Sequence, residues 1–357
     1  MCSSDLDRAI EVTPVFVKNF QRLIAEAGKL FGARHYRSYH FLLTLSDHVA
    51  SFGLEHHESS DDRLDERALT DDGLRRYHAE LLPHEYVHSW NGKFRRPAGL
   101  ATKNYNEPMQ GDLLWVYEGL TEYLGAVLAL RSGMEPPELF RDRLAVLASH
   151  LEHESGRAWR PLSDTSISGQ ILYGARADYA ALRRGTDFYG EGQLVWLEVD
   201  TLIRRLSRGA KSIDDFCRAF FGASGGDTGP SVKPYTLEDI IATLNSVQPN
   251  NWTAFFRRRV EMVRPRATIQ GLENAGWTLT YDDRRSDYWT ADEDHNKSTD
   301  LTLSIGMVVK SEGVVDDVEI GGPAQKGGLA PGVKITSVNG RSFSPSALRE
   351  AVSNSAA

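Results

Sequence analysis

The stretch His84-Glu85-Tyr86-Val87-His88 decides how this sequence is interpreted, because two histidines are separated by three residues. On a helix, side chains at positions i and i+4 lie on the same face, so both rings can reach one metal ion at about 2.0–2.1 Å. Glu85 lies beside the metal, where a carboxylate can take a proton from a zinc-bound water. The stretch therefore predicts a site for one Zn²⁺ ion, with Glu85 as its general base.

A third ligand is expected from residues 113–124, an apolar segment with two carboxylates four residues apart. Metallopeptidases of this kind take a third protein ligand from a later helix and leave the fourth zinc position open. Glu118 suits this role. Glu122 follows one turn later on the same face, and we expect it to accept the free ring N–H of a zinc-bound histidine. A solvated helix face is the alternative, but carboxylates on a largely apolar helix usually need a cation beside them.

The composition is that of an ordinary globular protein with two or three domains. The chain has 357 residues, of which 41% are hydrophobic and 25% charged. A net charge of −8 argues against nucleic acid as a partner. The sequence contains no run of 18 apolar residues, so no membrane-spanning helix is expected. Cys2 and Cys217 do not have the spacing of a metal site, which argues against a Cys-ligated zinc or a disulfide framework and leaves the compartment undetermined.

Hydrophobic periodicity predicts the order of the secondary structure elements. It indicates a helix over 14–33, a strand over 39–45, and a helix from about Asp71 that carries both histidines and is bent by Pro83. A helical lobe is expected next, with segments at 137–152, 190–208, 212–221, 236–245 and 251–262. Residues 277–281 have the pattern of a strand, and 282–300 have the polarity of a linker or long loop.

The last fifty residues alternate short apolar runs with glycine turns, a pattern typical of a small β-rich module. Gly306 opens one of these runs. At such a glycine the backbone N–H groups can turn toward a carboxylate, but the residues alone indicate only a small β-rich module.

Four stretches together are distinctive enough to indicate a family. The sequence resembles the glycyl aminopeptidases, PDZ-bearing zinc peptidases of the gluzincin branch whose catalytic domains are thermolysin-like. The stretches occur in the family's order across roughly residues 15–260: Gly53-Leu54-Glu55-His56 with Glu58-Ser59-Ser60, His84-Glu85-Tyr86-Val87-His88-Ser89-Trp90-Asn91, Glu118-Gly119-Leu120-Thr121-Glu122-Tyr123, and Phe188-Tyr189-Gly190-Glu191-Gly192.

This resemblance implies roles for individual residues. It implies His84, His88 and Glu118 as zinc ligands and Glu85 as the general base. Tyr189 matches a family tyrosine whose hydroxyl donates to the oxyanion of the tetrahedral intermediate; the alternative is a core tyrosine at a helix start. Glu191 stands where the family usually has lysine, which raises the question of what balances its charge.

Residues 53–56 resemble the exopeptidase motif of aminopeptidases, which lies on an edge strand where the substrate adds as another strand. Glu55 would then bind the free α-amino group and place the first peptide bond over the zinc. The alternative for Glu55 is an ordinary surface carboxylate. Gly53 would face the substrate, and Phe52 before it replaces a frequent family glycine, which would narrow the pocket for the first residue.

We therefore predict an α+β fold, with a thermolysin-like gluzincin catalytic domain, a mainly helical C-terminal lobe and a partial β-rich PDZ domain. The expected division is 1–70 for the end of the N-terminal region and the β part of the catalytic domain, 71–264 for the zinc-binding helices and helical lobe, 265–302 for a linker with short strands, and 303–357 for the PDZ domain. The resemblance implies that the last PDZ strand and the β domain that normally precedes the catalytic domain are absent.

The expected function is that of a zinc aminopeptidase acting on peptides with a free N-terminus and a small first residue. A peptide C-terminus or an internal peptide is the expected partner of the PDZ domain. Two alternatives stay open: a zinc endopeptidase, and a catalytically inert PDZ-type peptide-binding protein.

Overall fold

The computed structural model describes residues 2–175, 178–222 and 226–355. Its first part is a four-stranded sheet with the order β1-β2-β4-β3, in which β2 runs parallel to β1 and β4 while β3 runs antiparallel to β4. Strand β3 therefore lies at an edge. The elements of this part are β1 (Cys2–Ser4), α1 (Pro14–Phe31), β2 (His40–Leu45), β3 (Phe52–Glu55) and β4 (Ser59–Leu64), with a 3₁₀ turn at Asp7–Ile10.

Helix α1 confirms the helix predicted over 14–33, and its ends follow from local chemistry. The hydroxyl of Thr13 accepts a hydrogen bond from the backbone N–H of Phe16, and Pro14 occupies the first turn. Gly32 ends the helix in the left-handed conformation, with φ of 74°. One face of α1, including Leu23 and Phe31, is fully buried in the main core.

The histidines lie on a short helix, and Pro83 does not bend it. The single helix expected from about Asp71 is two helices, α2 (Asp72–Tyr77) and α3 (Leu81–Val87). Pro83 occupies the first turn of α3, where a backbone N–H has no partner within the helix, so the ring costs no hydrogen bond. The predicted bend is therefore wrong.

The helical lobe predicted after residue 135 is confirmed. Its core cluster includes the buried side chains of Trp115, Trp196 and Trp252. Helices α5 and α9 cross at two glycines and approach closely there. A Cβ atom on Gly119 would lie only 2.6 Å from the Cα atom of Gly192, so the crossing requires glycine. The elements from residue 95 to 261 are β5 (Arg95–Pro97), α4 (Leu114–Tyr117), α5 (Gly119–Ser132), α6 (Pro137–Glu152), α7 (Leu162–Leu172), α8 (Ala180–Arg183), α9 (Gly190–Leu206), α10 (Ile213–Phe221), β6 (Lys233–Tyr235), α11 (Leu237–Val247) and α12 (Trp252–Phe256), with 3₁₀ turns at Ala98–Leu100 and Ser155–Ala158 and a π-helical turn at Arg257–Glu261.

The region expected to be a linker contains helices. Residues 277–281 form no strand, and the polar stretch 282–300 contains helix α14 (Asp287–Asn296), which follows α13 (Gln270–Asn274). Ser286 caps α14 by accepting from the N–H of Trp289. The helix packs on α2 and α6, so it belongs structurally with the helices that precede residue 264. The predicted strand and the predicted loop are both wrong here.

The C-terminal part has a three-stranded antiparallel sheet with the order β7-β8-β9. Its hydrophobic core is separate from the main one and includes Leu301, Met307 and Leu348. The elements are β7 (Ser298–Asp300), β8 (Met307–Lys310), β9 (Val315–Val318), α15 (Pro323–Lys326), β10 (Ser337–Val338), β11 (Arg341–Ser342) and α16 (Pro345–Ser355). The mixed helix and strand content predicted for the chain is thus confirmed.

The backbone N–H groups expected to capture a carboxylate are already engaged. Those of Ile305 and Gly306 donate to the carbonyl oxygen of Leu301, each at 3.0 Å. Strand β7 pairs with one edge of β8 while β9 pairs with the other. The chain's own segment therefore occupies the edge of β8 and the adjacent loop N–H groups. None of the described helices has the length and hydropathy needed to cross a membrane.

Candidate active site

Helix α3 brings the two predicted zinc histidines together. His84 lies within the helix and His88 ends it, and both are buried. Their Nε2 atoms are 3.0 Å apart. Gly125 of α5 lies against this helix, because a Cβ atom there would be 3.0 Å from the Cα atom of His84. The glycine therefore lets α5 approach α3 closely.

Glu118 joins the two rings from the junction between α4 and α5. Its Oε2 atom lies 3.4 Å from His84 Nε2 and 3.3 Å from His88 Nε2. Although burial opposes ionisation, the two histidines lower the pKa of Glu118 to about 2. Oε2 is buried and accepts no hydrogen bond from any described residue.

These three atoms fit a tetrahedral ion. Ligands bound at about 2.0–2.1 Å in tetrahedral geometry lie about 3.3–3.4 Å from each other, close to the separations around Glu118. Two imidazoles and one carboxylate are also a donor set that zinc commonly takes. The three residues are therefore suited to hold one zinc ion.

The second nitrogen of each ring meets an oxygen atom. His84 Nδ1 lies 3.4 Å from Glu122 Oε1, where the sequence predicted this carboxylate. His88 Nδ1 lies 2.9 Å from the backbone carbonyl of Asn91. Such contacts fix the tautomer and the orientation of a ligand ring. The Asn91 contact was not predicted, since a backbone carbonyl leaves no signature in the residue type.

Glu85 lies against the edge strand. A Cβ atom on Gly53 of β3 would fall 2.0 Å from Glu85 Oε1, so only glycine leaves room for the carboxylate in this position. Tyr39 donates to the backbone carbonyl of Glu85 at 3.1 Å. Burial raises the pKa of Glu85, and its Oε2 has no hydrogen-bond partner within the described chain.

Tyr189 lies at the start of α9 and faces the same centre. Burial raises the pKa of the Tyr189 hydroxyl, and the neighbouring Glu118 carboxylate adds to the shift. The ring is stacked at 6.3 Å from that of His84. The glycine crossing of α5 and α9 places Tyr189 and Glu118 side by side, since each precedes the first residue of its helix.

Two arginines balance the unexpected charge of Glu191. This carboxylate is buried, and Arg157 donates to its two oxygens at 2.5 and 2.6 Å. Arg184 makes a further ion pair with it. Although burial opposes ionisation, these arginines lower the pKa of Glu191. Neither partner was found from the sequence, since both lie far from any motif.

Glu55 is held inside the cleft and is no ordinary surface carboxylate. Its Oε1 accepts from the hydroxyl of Tyr117 at 2.5 Å and lies 3.0 Å from Lys93 Nζ. Burial opposes ionisation, but His88, Lys93 and Tyr117 together hold the pKa of Glu55 well below its usual range. Carboxylate oxygens of Glu55 and Glu85 and a ring nitrogen of His88 lie within 4.8 Å of one another.

These side chains line one cleft with a volume of about 390 Å³. Strand β3 forms one wall and the histidine helix forms the floor. Tyr288 of α14 also lines the cleft, with its ring 4.4 Å from the guanidinium carbon of Arg143. All eight predicted site residues border this cleft: Gly53, Glu55, His84, Glu85, His88, Glu118, Glu122 and Tyr189.

Residues 77–195, which contain most of these side chains, match the family model for M61 glycyl aminopeptidases. Residues 293–355 match the model for PDZ domains. The predicted resemblance to PDZ-bearing glycyl aminopeptidases is confirmed. Residues 77–195 are called the M61 region below, and their match is to a family of peptidases, as the sequence analysis predicted.

Solved structures extend the similarity beyond the M61 region. An aminopeptidase N family protein from Idiomarina loihiensis is similar in fold over 99% of this chain, with a TM-score of 0.73 and 20% identity, and the chain covers 59% of that structure. An M1 zinc metallopeptidase mutant from Deinococcus radiodurans matches with a TM-score of 0.45 and 17% identity, over 74% of this chain and 48% of the other. At these identities only the first similarity is informative, and it concerns the fold. No curated protein is significantly similar in sequence.

Proposed function

We propose that the chain is a zinc-dependent aminopeptidase with a gluzincin, thermolysin-like catalytic domain. One observation carries the proposal: two imidazoles and the three carboxylates of Glu55, Glu85 and Glu118 border one cleft next to an edge strand. The M61 match supports the peptidase class. The substrate is a peptide with a free N-terminus, and the Phe52 side chain at the border of the cleft favours a small first residue.

We propose His84, His88 and Glu118 as the ligands of one zinc ion. A zinc ion bound there polarises a substrate carbonyl and lowers the pKa of a water molecule. Glu122 and the Asn91 carbonyl orient the two rings through their second nitrogens.

Glu85 is the proposed general base. It takes the proton of the attacking water and passes it to the leaving amine. This role requires a carboxylate that lies beside the metal and is not itself a metal ligand. The Tyr189 hydroxyl donates to the developing oxyanion, a contribution typically worth about 10²–10³ in rate.

Glu55 is proposed to determine which peptide bond of the substrate is cleaved. The substrate adds to the edge of β3, and its α-amino group pairs with the Glu55 carboxylate. Lys93 and Tyr117 fix that carboxylate in place and keep it ionised. Holding the amine at one point places the first peptide bond at the catalytic centre, so one residue is removed per cycle.

We also propose domain boundaries near residue 70 and close to the start of β7. A peptide C-terminus or an internal peptide is the proposed ligand of the PDZ module once β7 leaves the edge of β8. Helix α14 packs on the peptidase side, which supports a boundary close to the start of β7.

The first test is Glu85→Gln. The variant should bind as much zinc as the unmodified chain and lose nearly all hydrolysis of an amino-acid p-nitroanilide, since the amide cannot accept the proton. Glu312→Gln, the same change at an exposed position in the turn between β8 and β9, is the matched control. Full activity of Glu85→Gln with bound metal would refute Glu85 as base, and inactivity of the unmodified chain on every peptide would favour the inert binding protein.

The second test separates an aminopeptidase from an endopeptidase. Glu55→Ala should reduce cleavage of peptides with a free amine far more than cleavage of the same peptides with an acetylated amine. Equal losses on both substrates would argue for an endopeptidase.

A further inference from the structure

A second group of metal-ligating side chains lies outside the proposed catalytic centre. It consists of Asp65 after β4, His78 after α2 and His295 on α14. Their ligand atoms lie within 4.8 Å of one another. Three separate elements thus converge on one point, and two of the three residues are 217 positions apart in the sequence.

The distances suit a compact ion site. His295 Nδ1 lies 3.2 Å from Asp65 Oδ2, close to the separation of about 3.3 Å between ligands of a tetrahedral ion. His78 Nε2 lies 2.6 Å from the same oxygen, a hydrogen-bond distance. An ion would replace this bond and widen the pair by about 0.7 Å, which side-chain rotation can supply.

One atom of the group is not satisfied by the protein. His295 Nδ1 is buried, yet its position toward Asp65 is too poorly aligned for a hydrogen bond, and no other described residue bonds to it. Leaving a buried polar atom without a partner has a free-energy cost for the folded chain. A purely hydrogen-bonded cluster would leave this cost in place, whereas an ion would remove it.

The surroundings allow a cation to enter and stay. The side chains of His78, Asp65 and His295 are 8%, 26% and 19% exposed, so the group is sheltered but reachable from solvent. The neighbouring cation Arg143 is paired with Glu80 and Glu135. Two imidazoles with one carboxylate form a donor set that selects zinc and similar dications over magnesium or calcium.

We propose that Asp65, His78 and His295 form a second zinc site, which fixes helix α14 to the peptidase side of the chain. The ring of His295 is stacked on Tyr77 at 3.9 Å, and the same helix carries Tyr288 into the catalytic cleft. The ion would thus hold one wall of the cleft in place. This inference does not depend on the proposed activity, because none of its ligands is a proposed catalytic residue, although His78 borders the same cleft.

The test measures zinc in a chain that lacks the catalytic ligands. The variant His84→Ala/His88→Ala should still bind about one zinc equivalent by isothermal titration and elemental analysis after dialysis. Adding His295→Ala should reduce bound zinc to near zero, while adding His40→Ala, an exposed histidine on β2, should leave it unchanged. Zinc binding that is absent in the double variant, or that survives His295→Ala, would overturn the proposal.

Thermal unfolding distinguishes an ion from a hydrogen-bond cluster. Zinc should raise the Tm of the double variant, and Asp65→Asn or His295→Ala should abolish this rise. If the cluster is held only by hydrogen bonds, each substitution should lower the Tm by the same amount in the presence of zinc and of a chelator. That result would also overturn the proposal. Circular dichroism checks that each variant is folded. If His295→Ala does not fold, Asp65→Asn replaces it in the zinc-binding measurement.

Discussion

The contact between Gly53 and Glu85 gives the sharpest prediction. In Gly53→Ala the new Cβ atom would lie 2.0 Å from Glu85 Oε1 and 2.4 Å from its Cδ atom. Ordinary contact begins at 3.4 Å, so the carboxylate must move by about 1.4 Å, the difference between 3.4 and 2.0 Å. The moving group is the end of a flexible side chain, so the fold and the metal ligands should remain.

The expected loss of activity follows from this displacement. A misplacement of about 1 Å can cost about 10²-fold, and a general base contributes about 10²–10⁴-fold, so kcat should fall by about 10²–10⁴. The assay is hydrolysis of a glycyl p-nitroanilide at matched zinc content. Stability should change little, because alanine is tolerated in a strand at least as well as glycine.

Two controls isolate the cause. Gly28→Ala makes the same change in α1, where nothing lies within 4 Å of the new Cβ atom, and should leave kcat unchanged. In a Glu85→Gln background, Gly53→Ala should cause no further loss if it acts through Glu85. Unchanged kcat in Gly53→Ala, or a full additional loss in that background, would refute this reasoning.

Three further predictions concern parts of the chain away from the catalytic centre. Glu191→Gln leaves Arg157 buried without its counter-charge and should lower the free energy of unfolding by about 3–5 kcal/mol in urea denaturation; a loss below about 1 kcal/mol would contradict this. Burial opposes protonation of His150, but Asp300, 2.8 Å away, raises the pKa of His150 in the folded chain. The ion pair therefore stabilises the fold fully below pH 6.5, and this stabilisation is lost as the pH rises through the pKa of the folded state. Asp300→Asn should therefore lower the Tm more at pH 6 than at pH 9, and an equal loss would count against the pair. Thr299→Pro removes an N–H from β7 and should increase binding of a peptide ending in leucine, measured by fluorescence anisotropy; unchanged binding would mean that β7 does not block the edge of β8.

The sequence was most informative where chemistry is local. The spacing of His84 and His88 places both rings on one helical face, and the helix that follows offers carboxylates at Glu118 and Glu122. The capping residues of α1 are likewise adjacent to the turns they stabilise. The spacings within each helix span one or two turns, which periodicity can detect, whereas the pairing of Glu118 with the histidines was expected from the ligand pattern of metallopeptidases.

Long-range partners could not be predicted. Lys93 and Tyr117 meet Glu55 only because the turn after α3 and helix α4 fold beside β3. Arg157 and Arg184 reach Glu191 in the same way, from segments without a motif.

Two errors have a common physical origin. Residues 277–281 alternate like a strand, but a strand forms only where a partner edge exists. Helix α14 was expected to be a loop because its sequence is polar on most sides, yet Ser286 caps it and packing on α2 and α6 stabilises it.

The central claim is that His84, His88 and Glu118 hold one zinc ion beside Glu85. Anomalous diffraction at the zinc edge from crystals of the zinc-loaded chain tests it most directly. Zinc bound by these residues gives a peak at about 2.0–2.1 Å from both Nε2 atoms and from Glu118 Oε2. A map with no peak at this position, or with the Glu118 side chain turned away from it, would rule out this zinc site.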